Sequence, residues 1–124
     1  MSQRRPRLVH TSDLHLGAAY GSWHGRDVDH GLPLLERVLA AALAEEADAL
    51  LLVGDIFDSN RVGEALVAAV ARLLTALPLP VVFLPGNHDC YTADSVYRRL
   101  EQACTGATNV HVVRSPEGET LRLP

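Results

Sequence analysis

Ala49-Leu50-Leu51-Leu52-Val53-Gly54-Asp55-Ile56-Phe57-Asp58 is the stretch that decides the fold of this chain. Five aliphatic residues without polar alternation describe a strand buried on both faces, the habit of parallel sheets. Gly54 then lets the backbone turn closely, and Asp55 is presented where the strand runs out. The same order recurs on either side. Residues 7–11 form a strand candidate ahead of Asp13-Leu14-His15, and residues 81–84 form another ahead of Gly86-Asn87-His88-Asp89.

Helical segments fill the intervals. Residues 33–46 carry proline in the first turn and repeat Leu35, Val38/Leu39 and Ala42/Leu43 at helical spacing. Residues 64–77 repeat Leu66, Val70, Leu73/Leu74 and Leu77 before Pro78 stops the helix. A third helix is expected over 93–104, with Thr92 as N-cap, Asp94 in the first turn and Gly106 past the end. Strands over 109–113 and, more weakly, 119–123 complete the pattern. The order β-α-β-α-β-α-β predicts an α/β fold with right-handed crossovers and a mainly parallel sheet. Three such crossovers leave one aliphatic sheet face bare, a patch that calls for a covering surface.

In open α/β sheets the working residues gather beyond the carboxyl ends of the strands, where all three polar clusters sit. Asp13 and His15, two apart at a strand end, are expected to project to one side and grip one cation. The two oxygens of Asp55 suit it to bridge two metals about 3.5–4 Å apart. Asn87 offers a neutral oxygen to the second metal. His88, beside them, is suited to neutralise phosphoryl oxygens or protonate a leaving group, with Asp89 holding its ring. Asp58 reads equally as a turn or N-cap residue and as an outer partner of the metal ligands. His10 and His111 fall inside strands, where packing or an edge position explains them. His24 and His30 belong to the loop 17–31, which also holds Tyr20, Trp23, Arg26 and Asp27 and follows the first strand over the rim.

Composition narrows the classes. A hydrophobic content of 48% with 21% charged residues fits a packed domain, not a disordered chain. The longest apolar runs are too short to span a bilayer, and no apolar signal segment follows the basic start, so a cytoplasmic protein with no membrane contact is expected. Cys90 and Cys104 make no disulfide framework and no zinc spacing. The net charge of −4 gives no general basic footprint for nucleic acid. Arg4/Arg5/Arg7 and Arg98/Arg99 are local patches, read first as solvated surface. Phosphate-loop, dinucleotide-turn, His-Glu-x-x-His and nucleophile-elbow patterns are all missing.

The three clusters, in this order and spacing, resemble the calcineurin-like metallophosphoesterase superfamily. The phrases His10-Thr11-Ser12-Asp13-Leu14-His15-Leu16-Gly17 and Gly54-Asp55-Ile56-Phe57-Asp58-Ser59 are similar to its DNA-repair exonuclease branch, the SbcD-like nucleases. The resemblance implies an αββα sandwich, of which residues 1–124 supply mainly the first β-α-β-α-β-α-β half, a domain cut short at its C-terminus. It implies two divalent ions, manganese in this branch and iron or zinc in relatives. Asp13 and His15 would hold the first, Asp55 would bridge, Asn87 would hold the second, and His88 would be the catalytic histidine.

The family completes these shells with a lone histidine and a Gly-His-x-His motif, and nothing after Asp89 matches either. The expected function is hydrolysis of phosphodiester bonds, as in DNA ends, with an SMC-like ATPase as partner. A missing C-terminal half, or self-association, would cover the bare sheet face. Two alternatives stay open: a nucleotide or phosphoprotein phosphatase, and an inactive half-site module.

Overall fold

The computed structural model describes residues 5–17, 31–86, 95–115 and 117–122. Its elements run β1 (Leu8–Thr11), α1 (Leu32–Ala44), β2 (Ala49–Val53), α2 (Glu64–Thr75), β3 (Val81–Leu84), α3 (Val96–Ala103) and β4 (Val110–Val112). The four strands form one parallel sheet in the order β1-β2-β3-β4. This is the expected α/β architecture with a parallel sheet.

Sequential strand order with right-handed crossovers puts all three helices on one side of the sheet. The register agrees, because partnered residues in a parallel ladder share a face. Leu50 pairs with Val81, Leu52 with Phe83, and Phe83 with Val112. All five belong to one core with Leu35 and Leu39 of α1, Val67, Val70 and Leu74 of α2, and Tyr97 and Leu100 of α3. Phe83 and Tyr97 meet edge-on at 5.3 Å between centroids, and Phe57 meets Tyr97 the same way at 5.7 Å. Such pairs add about 0.5–1.5 kcal/mol each beyond the area they bury.

The opposite face carries Leu8, His10, Leu51, Val82, Leu84 and His111. Leu8 and Leu84 are 55% and 44% exposed, so among the described residues this aliphatic face is only partly covered.

Two segments depart from the sequence reading. The strand expected over 119–123 is not one among the described residues. The Glu119 carboxylate instead accepts hydrogen bonds from the Arg114 and Ser115 amides, closing a turn where a ladder would have run. Helix α3 is shorter than expected, and its N-cap is Ser95, whose hydroxyl accepts from the Tyr97 amide at 3.1 Å. Thr92, Ala93 and Asp94 lie outside the described residues.

Candidate metal centre

The loops leaving β1 and β2 run side by side past the strand ends. Asp13 N–H donates to Gly54 O at 3.0 Å, His15 N–H to Asp55 O at 3.0 Å, and Leu16 N–H to Ile56 O at 2.7 Å. Asp58 N–H returns a bond to Leu16 O at 2.8 Å, and Leu16 pairs with Phe57 in an isolated parallel bridge. Leu16, Ile56 and Phe57 are fully buried beneath this zipper, so the polar residues between them are fixed to the core.

Asp13, His15 and Asp55 converge. One ligand atom from each lies within 4.8 Å of the other two. The Nε2 of His15 is 3.7 Å from Asp13 Oδ1, and its Nδ1 is 3.5 Å from Asp58 Oδ1. Strand alternation does not cause this convergence, since β1 ends at Thr11. Asp13, His15 and Asp55 all have left-handed backbone, with φ of 56°, 48° and 53°. Non-glycine residues visit this region rarely, Asp, Asn and His most often, and such strain gathers at functional sites.

The donor set suits a divalent first-row metal, for which carboxylate and imidazole ligands bind at about 2.0–2.2 Å. Two ligands on one such ion lie at most about 4.4 Å apart, so small side-chain rotations close this group around a cation. Two carboxylates brought this near one another also favour a positive charge between them.

Helix α3 braces the loop that bears Asp58. Arg99 donates to Val62 O at 2.7 Å and to Asn60 O at 2.8 Å, lies 3.5 Å from Glu64, and the Asn60 side chain accepts from Val96 N–H. Arg99 therefore holds this loop and is not the solvated arginine of the sequence reading. Its helical spacing gives no sign of that. Arg7 likewise binds Glu45 O at 3.0 Å, capping the turn after α1. His10 is exposed on the bare face, and His111 is half-buried there. Asn87, His88, Asp89, Cys90, His24 and His30 lie outside the described residues. Cys104 is buried and free, and burial raises its thiol pKa, with Glu101 adding to the effect.

Convergent carboxylate and imidazole ligands at the carboxyl ends of parallel strands fit a metallophosphoesterase, and family comparison agrees. The Calcineurin-like phosphoesterase profile matches residues 6–114, and the chain belongs to that family. It is 42% identical to the SbcD component of the SbcCD nuclease of Rhodobacter capsulatus, over 93% of its own length and 29% of that protein's. It is 35% identical to the DNA double-strand break repair protein Mre11 of Aeropyrum pernix, over 68% of this chain and 21% of that one. With the SbcD component of the Escherichia coli K12 SbcCD nuclease the identity is 33%, over 67% of this chain and 21% of the relative. The chain thus spans less than a third of the length of these curated relatives.

Proposed function

We propose that this chain carries half of a two-metal phosphodiesterase centre belonging to a DNA-repair nuclease. The observation that carries the reading is the meeting of Asp13, His15 and Asp55 on strained backbone at the strand ends. Likeness to two SbcCD nuclease components and an Mre11 protein supports the nuclease branch over other phosphoesterases. Asp13, His15 and Asp55 would hold metal through carboxylate and imidazole donors, and Asn87 would add a neutral oxygen for a second ion. Asp58 orients His15, and Asp89 orients His88. The ions, manganese in this reading, supply Lewis acidity and a nucleophile at neutral pH. His88 would be the catalytic histidine, neutralising the non-bridging oxygens or protonating the leaving oxygen. The substrate is a phosphodiester at a DNA end, and an SMC-like ATPase is the expected partner in the cytoplasm.

In this reading residues 1–124 form the front of a longer metallophosphoesterase domain, whose remainder covers the face bearing Leu8 and Leu84 and completes the metal ligands. Among the described residues no helix is long and apolar enough to cross a membrane. Manganese-dependent turnover of DNA ends, a small phosphodiester and a phosphomonoester tests the assignment, alongside the number of ions bound. The expected ranking puts DNA ends first, with activity weak or absent in these 124 residues and recovered when the relatives' remaining length is supplied. Preference for the monoester would move the function to a phosphatase, which the net charge of −4 favours over a duplex substrate. One weakly held ion with no hydrolysis in the longer form would make it a binding module.

A further inference from the structure

Beyond the end of β3, Pro85 and Gly86 lead toward Asn87, and the Gly54 amide donates to Leu84 O at 2.7 Å. That bond draws the end of β3 against the turn presenting Asp55. Gly54 has a left-handed φ of 76°, which glycine adopts without a Cβ penalty. Gly86 is different, because it is not among the glycines with positive φ, so backbone conformation does not call for glycine there. Space does. A Cβ at position 86 would lie 2.6 Å from Asp55 N, 2.7 Å from Asp55 Oδ1 and 3.0 Å from Gly54 Cα. Two of those three atoms are backbone, so rotating a side chain cannot relieve the overlap.

We propose that Gly86 is a positioning residue for Asp55: its missing side chain is the space in which the Asp55 carboxylate is seated for the metals. The inference rests on the metal-centre reading above. Any side chain at 86 displaces that carboxylate and its peptide from this seat, out of register with Asp13 and His15. A longer acid at position 55 would likewise fail to seat, although its charge is kept. Disturbing the groups that support a metal ligand costs about 10–100-fold in metal affinity.

The test is manganese titration of the whole chain, followed by the electron paramagnetic resonance signal of free Mn²⁺, with thermal unfolding of the metal-free protein beside it. The wild-type chain binds manganese, and Gly86→Ala binds it about 10–100-fold more weakly. Gly63→Ala is the control, since nothing lies within 4 Å of a Cβ there, and it binds as wild type. Asp55→Ala also binds weakly, and adding Gly86→Ala to it costs nothing more, because the carboxylate being positioned is gone. Additive losses would assign the effect to general damage and overturn the proposal, as would wild-type affinity in Gly86→Ala. Should Gly86→Ala fail to fold, Asp55→Glu decides alone: a loss of about 10–100-fold supports the cradle, and wild-type affinity refutes it. Absence of manganese binding by the wild-type chain would instead sink the metal-centre reading, and this inference with it.

Discussion

Asp58→Ala separates holding a ligand in place from holding the fold together. Asp58 Oδ1 lies 3.5 Å from His15 Nδ1, on the side of the ring away from Asp13, with the two side chains 48% and 28% exposed. An ion pair that open to water contributes about 0–1 kcal/mol to stability. The Asp58 backbone bond to Leu16 O survives the substitution, so the zipper should remain closed. Metal binding is another matter. Without its carboxylate partner the imidazole turns more freely and is a weaker donor, which costs about 10–100-fold in affinity, or about 1.4–2.8 kcal/mol. Manganese titration should therefore show a large loss while metal-free unfolding moves little. Asp58→Asn keeps an oxygen that accepts from the Nδ1 proton and should recover part of the loss. Unchanged affinity in Asp58→Ala would refute the orienting role. A loss matched by an equal fall in stability would show that the residue only holds its loop.

Leu16→Ala empties a fully buried position under the zipper and should cost about 2–5 kcal/mol in denaturant unfolding, with metal affinity falling as the ligands loosen. An effect under about 1 kcal/mol would mean the loop is not anchored there. His111→Leu removes a buried Nε2 that has no hydrogen-bond partner among the described residues, so it should stabilise the chain by about 1–3 kcal/mol, read as a higher denaturation midpoint. A lower midpoint would show that the imidazole is satisfied. Burial raises the Cys104 thiol pKa in the folded chain, so at alkaline pH the unfolded state loses this proton first. Stability should then fall as pH rises through the ordinary thiol value of about 8.5, and Cys104→Ala should lose that part of the slope. An identical slope in the variant would count against it.

The sheet is legible in the sequence because β2 and β3 are aliphatic throughout and proline or glycine brackets their helices. The convergence of Asp13, His15 and Asp55 is legible because each follows a strand that must end on the same rim. The reason for it is not. Alternation predicts that Asp13 and His15 point together, whereas left-handed backbone beyond the strand aims them, and no residue pattern announces a φ of 56° on an aspartate. The α3 cap falls at Ser95 instead of Thr92 because the two hydroxyls have the same chemistry, and only packing decides which starts the helix. The 119–123 strand fails because one carboxylate, Glu119, finds two amides nearby. The sequence around Gly86 signals a freely turning backbone, though its neighbours in space make it a spacing residue.

The three left-handed ligands raise the question of what holds them. Each such residue costs about 1–2 kcal/mol, so the trio costs about 3–6 kcal/mol against a domain stability of about 5–15 kcal/mol. Four hydrogen bonds tie the two loops together, and at about 1 kcal/mol each they offset most of that cost. Full burial of Leu16, Ile56 and Phe57, which closely follow strained positions, supplies the rest. The alternation is therefore functional in both directions: the apolar residues anchor the loops, and the polar residues between them are left no freedom to turn away. Aspartate and histidine tolerate this backbone better than most residues, so the side chains that suit a metal are also the ones the strain permits. A site assembled this way is largely arranged before an ion arrives. Binding then loses little free energy in ordering its ligands, which is why small displacements at Asp58 or Gly86 should be felt in affinity before they are felt in the fold.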